Sequence, residues 1–205
     1  MTKCGYTNAV PKPQLEAHMI PIASLALPIL VAAVAVFVLS SIIHMAMPWH
    51  KSDYGNVPDD DAFMNAVRPL NIPPGDYTVP NPRLPGGGRN PEFMPKWSAG
   101  PSVNMTVMPP GPMSMGRYMG QWFAFTLLVS AITGWVTGTI VEPGEHHKAV
   151  LHYAAILTFL SYSLGAWPLS IWYHRKWSTA LKGAFDAVLY GVTTGLVFAW
   201  MWPKM

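Results

Sequence analysis

The sequence predicts an all-α integral membrane protein, with four transmembrane helices and a 70-residue Pro/Gly-rich loop between the first and second. Three observations point to that class. The 205-residue chain is 51% hydrophobic and only 11% charged, where soluble domains run at about 25% charged. It contains four apolar stretches long enough to cross roughly 30 Å of hydrocarbon as helices, the form in which a chain pairs its backbone groups internally. Tryptophan and tyrosine gather at the ends of those stretches, where their amphipathic rings favour the headgroup level. The same composition excludes other classes. A net charge of +3, from 13 basic and 10 acidic side chains, is too small for a dedicated nucleic-acid binder. The single Cys4 rules out an internal disulfide framework and a Cys-rich zinc or iron–sulfur site.

Residues 1–18 read as an N-terminal tail carrying Lys3, Lys12 and Glu16. The tail ends in no small-residue cleavage pattern, so the first span is expected to be a retained anchor. Helix 1 is predicted over 19–47, free of Asp, Glu, Lys and Arg, with Pro28 a candidate kink. Helix 2 is predicted over 118–141 and helix 3 over 149–173, both likewise without these charges. Helix 4 is predicted over 179–202, and from Gly183 onward it contains one charged residue, Asp186. Four spans put both termini on one face and the 48–117 loop on the other. The loop face holds nine of the 13 basic residues, which by the positive-inside rule makes the loop cytoplasmic. Trp49, Tyr54, Tyr118, Trp122, Trp172, Tyr173 and Trp177 form an aromatic belt on that face, and Trp135, Trp200 and Trp202 form one at the other.

The loop holds 14 of the 21 prolines and eight of the 17 glycines, a density that limits regular elements to short ones. Pro58-Asp59-Asp60-Asp61, followed by Ala62, Phe63, Ala66, Val67 and Leu70 at helical spacing, predicts one helix, ended by Pro69. Tyr77-Thr78-Val79 and Met105-Thr106-Val107-Met108 are extended candidates able to pair, with Leu84 to Gly100 as the excursion between them. The aromatic and apolar content, including Phe63, Leu70, Tyr77, Phe93, Trp97 and Val107, is too high for a solvated tether. The loop is expected to fold as a cap on the bundle or against a partner.

Several of these runs together carry a resemblance: Met47-Pro48-Trp49-His50-Lys51-Ser52-Asp53-Tyr54, Arg68-Pro69-Leu70, Ile72-Pro73-Pro74-Gly75-Asp76-Tyr77, Ser170-Ile171-Trp172-Tyr173 and Trp177-Ser178. From about residue 19 onward the chain resembles an uncharacterised family of four-span bacterial integral membrane proteins. The resemblance implies the fold and a bacterial inner-membrane location, and assigns no activity.

Candidate chemistry falls at four places. His44, His50 and His174, with Asp53, lie at the loop end of the spans, whereas His18, His146, His147 and His152 lie at the terminal end. About 30 Å of helical rise separates His44 from His152, which excludes a haem bridging that pair. The loop-side histidines are weak candidates for a nitrogen and oxygen metal site. Met113 and Met115, within a cluster from Met105 to Met119, are weak candidates for Cu(I), for which thioethers suit, although methionine also serves as packing. Asp186, an acid inside a span, requires a partner. Lys182 lies one turn earlier on the same face, so a structural Lys182–Asp186 ion pair is expected. Gly134 and Gly138 in helix 2, and Gly191 and Gly195 in helix 4, are expected to mark close helix packing.

No nucleophile motif, phosphate-binding loop or catalytic carboxylate pair is recognisable, since Gly86-Gly87-Gly88 lacks the Lys-Ser or Lys-Thr that would follow in a P-loop. The expected function is that of a non-catalytic accessory or assembly subunit of a larger membrane complex, docking through the loop and the small-residue helix faces. The expected partners are the lipid bilayer and other membrane subunits or copies of itself, with no nucleic acid and no resident cofactor. A second reading is a metal- or pigment-binding membrane protein using His44 and His50 or the methionine cluster. A third is a small oligomeric transporter or channel.

Overall fold

In the computed structural model, residues 20–83, 86 and 89–204 are described. The 1–18 tail, His18 and most of the Gly86-Gly87-Gly88 run therefore lie outside the described residues. Four helical segments are long and apolar enough to cross a membrane: Ile22–Met45, Met115–Ile140, His147–Trp172 and Trp177–Met201. By length and composition the protein is a multi-pass membrane protein.

The first segment opens with a 3-10 turn, Ile22–Leu25, and continues as α1, Ala26–Met45. Pro28 falls in the first turn of α1, where backbone N–H groups have no intrahelical acceptor, so its missing donor removes no hydrogen bond and it marks an entry instead of the expected kink. Along α1, Leu27, Leu30, Val34, Val38 and Ile42 face outward at three- and four-residue steps, while Ile29, Ala32, Val36, Ser40 and Ile43 are buried. The outward stripe is as apolar as the inward one, the pattern of a helix solvated by lipid.

Residues 46–114 contain α2 (Asp60–Val67), β1 (Gly75–Val79), α3 (Phe93–Ala99) and β2 (Val103–Val107). Asp59 caps α2 by accepting from the Ala62 backbone N–H at 2.9 Å. β1 and β2 pair antiparallel with Tyr77 opposite Met105. Thr78 donates to Asn104 Oδ1 at 2.7 Å and Thr106 to Asp76 Oδ1 at 2.6 Å, which ties cross-strand neighbours together. The excursion between the strands, expected over 84–100 with no element assigned to it, contains the short α3, supported by a Lys96–Glu92 pair one turn apart at 2.8 Å.

The remaining elements are α4 (Met115–Ile140), α5 (His147–Ser163), α6 (Trp167–Trp172) and α7 (Trp177–Met201). The third span is thus two helices joined by a 3-10 turn, Leu164–Ala166. Pro168 stands at the start of α6 and has no N–H for the carbonyl one turn back. The four spans form a ring in which α1 packs on α4 and α7, and α5 packs on α4 and α7. Ile29, Val150, Ala154, Phe198 and Trp202 form the larger apolar cluster, near the chain termini. Trp202, expected in the aromatic belt, is buried and donates to the Glu142 carbonyl at 3.1 Å.

The glycines sit where the helices touch. A Cβ on Gly191 would stand 2.6 Å from the Ala155 carbonyl oxygen, and one on Gly195 would stand 2.7 Å from that of Leu151. Gly134 abuts Phe198 and Ile29, and Gly138 abuts Leu25 and Ile20. These small-residue faces are occupied inside the fold, so they are not free for a partner as expected. Gly191→Ala is predicted to destabilise the detergent-solubilised protein by about 1–3 kcal/mol through forced separation of α5 and α7. Gly183→Ala, in the same helix with nothing within 4 Å of the added atom, should be neutral or stabilising by up to ~1 kcal/mol. Thermal unfolding of the two variants checks the contrast, and equal losses would contradict the close-approach account.

Candidate functional site

The site begins where α1 stops. Ala46 and Met47 both donate to the Ile42 carbonyl, at 2.9 and 3.3 Å. Pro48 cannot extend that pattern, and a 3-10 turn, Trp49–Ser52, carries the chain back across the end of the bundle. Trp49 anchors the turn. Its ring meets Phe185 edge-on at 5.7 Å and packs against a second apolar cluster of Val36, Ile43 and Tyr190. With Trp49 seated, His50 is directed at α7, and its ring lies 4.2 Å from that of His44 on the last turn of α1.

His50 stands between two carboxylates. Its Nδ1 is 2.7 Å from Asp53 Oδ2, and its Nε2 is 2.8 Å from Asp186 Oδ2. His44 Nε2 lies 4.0 Å from the same Asp186 oxygen. The Asp186 side chain is only 4% exposed, and its Oδ1 is buried with no hydrogen-bond partner. A carboxylate within a span costs several kcal/mol unless it is compensated by facing charge and donors.

The expected compensation was Lys182, and the structure corrects that expectation. The Lys182 ammonium donates to the Trp49 carbonyl, to Ser52 Oγ at 2.8 Å and to Asp53 Oδ1 at 2.9 Å, which uses all three of its donors. The turn offers Lys182 three acceptors, one of them the Asp53 carboxylate, where Asp186 on the same helix would offer one carboxylate. Burial alone would raise the Asp53 carboxyl, but hydrogen bonds from His50 and Lys182, with their charges, outweigh it and hold Asp53 below the usual carboxylate range. A continuous chain results: Lys182, Asp53, His50, Asp186, with His44 beside its end.

His174, expected with the loop-side histidines, is exposed in the turn between α6 and α7, at a φ of 55°, and does not join the cluster. Asp186 takes its place. His44, His50 and Asp186 offer three ligand atoms all within 4.8 Å of one another, and are the one such group among the described residues. Met113 and Met115 are exposed at the entry to α4. At the opposite end of the bundle, His147 Nδ1 lies 2.5 Å from the Ala199 carbonyl oxygen. No family model, curated protein or solved structure matches the chain.

The arrangement can do two things: fasten the loop to α7 through oppositely charged groups, and present two imidazoles and a carboxylate to a common point. Reasoning from sequence missed the His50–Asp186 contact, which joins residues 136 positions apart. Two signals were present, the one acid in the fourth span and a histidine next to the Pro48-Trp49 stop on the same face.

A double-mutant cycle distinguishes the pairings. His50→Ala with Asp186→Asn should give a coupling of roughly 0.5–3 kcal/mol in detergent unfolding. Lys182→Met with Asp186→Asn should give a smaller one. The reverse ranking would restore the expected ion pair.

Proposed function

We propose that the protein is a non-catalytic accessory or assembly subunit of a larger complex in a bacterial inner membrane, with residues 46–114 forming its docking surface on the cytoplasmic side. One observation carries this reading: among the described residues none between Ile43 and Thr126 is buried, although the stretch is rich in large apolar side chains. Phe63 and Met64 on α2, Leu70 after it, Met94 on α3 and Met108 after β2 are all exposed, Leu70 and Met108 at 66% and 70%. Apolar surface of that extent outside the spans marks an interaction face.

A protein partner suits this face better than the bilayer surface. α2 starts with Asp59, Asp60 and Asp61 and contains no basic residue, which disfavours anionic lipid headgroups. An open groove of about 810 Å³ runs between the sheet, α3 and α6, with Phe93, Trp97, Trp172 and Tyr173 in its walls and Asp76 and Arg83 among its polar groups. Apolar walls with a few polar groups suit a partner's side chains. The clamp at the bundle end supports the same reading, since Lys176 donating to the Ser52 carbonyl and Arg175 to the Tyr54 hydroxyl also hold the start of the loop. The reading assigns no catalytic residue.

A photo-crosslinking amino acid at Phe63 or Trp97 in native membranes should give one discrete heavier adduct whose second component is another integral membrane protein, while the same group at lipid-facing Leu30 gives none. Gly55→Cys, at an open position and combined with Cys4→Ser to remove the native thiol, should react with an impermeant maleimide only from the cytoplasmic face. Adducts to lipid alone would overturn the docking reading, and labelling from the periplasmic face would overturn the orientation.

A further inference from the structure

We propose that His44, His50 and Asp186 form a binding site for a divalent first-row transition-metal cation at the membrane interface, with Asp53 and Lys182 as its supporting shell. This goes beyond the docking role and does not depend on it.

The donor set comes first. Two imidazole nitrogens and one carboxylate oxygen suit borderline cations such as Zn(II), Fe(II) or Co(II), and leave coordination positions for water or another ligand. Around a cation with bonds of about 2.1 Å, neighbouring ligand atoms stand roughly 3.0–3.4 Å apart. Asp186 Oδ2 is 2.8 Å from His50 Nε2 and 4.0 Å from His44 Nε2, so the set brackets that spacing. A rotation of the half-exposed His44 ring closes the difference, and that side chain is free to make it because it sits at the helix end.

The support is of the kind ligating histidines have. A ligating imidazole usually gives its other nitrogen to a carboxylate, which fixes the ring and raises its basicity. His50 does so through Nδ1 to Asp53 at 2.7 Å, and Lys182 holds the other oxygen of Asp53 at 2.9 Å. Nε2 is thereby the nitrogen presented to the site.

The charge count agrees. Lys182 and Asp53 cancel, leaving Asp186 facing His50, whose two ring nitrogens both meet carboxylate oxygens, while Asp186 Oδ1 is buried without a partner. A dication bound by Asp186 Oδ2 and the two imidazoles takes the place of the proton between His50 Nε2 and Asp186, which is released, and supplies the charge that compensates the carboxylate. Tyr190, one turn further along α7, is also buried and its hydroxyl is without a partner.

The test uses the full-length protein purified through a histidine-free tag, stripped with chelator and titrated with Co(II), followed by visible absorption and elemental analysis. The wild type and His174→Ala should each bind one equivalent with ligand-field bands. Asp186→Asn and His50→Ala should lose both metal and bands. Asp53→Asn should weaken binding by roughly 10–100-fold. His44→Ala, which removes a half-exposed ring and leaves the Lys182–Asp53–His50–Asp186 chain in place, should weaken binding at least as much with an unchanged melting profile. Absence of micromolar binding in the wild type, unchanged binding in His44→Ala, or equal loss in His174→Ala would overturn the proposal.

Discussion

A single carboxylate inside a membrane span governs this structure. Asp186 sits in the last helix among apolar neighbours, and the cost of holding it there must be met by groups brought to it. They come from the first helix and the turn after it: His50 touches Asp186 directly, His44 lies beside it, and Lys182 of α7 is drawn off to the turn that carries His50. The path of the chain leaving α1 is therefore set by electrostatics as much as by Pro48. Where a free helix end would let residues 46–53 extend into water, here they fold back and close the bundle.

That closure depends on the register of the helices. α7 packs against both α1 and α5. Its contact with α5 leaves no tolerance, because Gly191 and Gly195 lie against the carbonyl oxygens of Ala155 and Leu151. Close glycine contacts of this type are a principal source of helix association where lipid removes the hydrophobic drive. They fix α7 along its axis, and Asp186, little more than one turn before Gly191, is fixed with it. Trp49 performs the matching task for the turn by wedging between Phe185 and the Val36, Ile43 and Tyr190 cluster. The 2.8 Å contact between His50 and Asp186 follows from two steric placements made by other residues.

The spans were legible in the sequence because the hydrocarbon core imposes length and freedom from charge, and these can be read residue by residue. Their ends agree with the structure to within about three residues. The short helix at Asp60 and the two extended segments able to pair, residues 77–79 and 105–108, were also legible, from a proline and acid start and from β-rich runs beside turns, whereas their register came from the structure. α3 was hidden by the prolines and glycines around it. The break at Leu164 was overlooked because the stretch is long enough to span and free of charge, although Gly165 and Pro168 mark it. The site was half legible: His44, His50 and Asp186 each stood out alone, but their association was not visible because the local rule pairing Lys182 with Asp186 gave a sufficient answer. That rule failed because Lys182 found a carbonyl, a hydroxyl and Asp53 in a distant turn.

The central claim is that the imidazole of His50 meets the carboxylate of Asp186 across the end of the bundle. Rotational-echo double-resonance NMR tests it directly, on protein reconstituted in lipid with ¹⁵N-histidine and ¹³C-carboxyl aspartate. The account predicts dephasing of the Asp186 carboxyl carbon by a histidine ring nitrogen in direct hydrogen-bond contact, abolished in His50→Ala and retained in Lys182→Met. A carboxyl signal that does not dephase, or that loses its contact in Lys182→Met but not in His50→Ala, would contradict it.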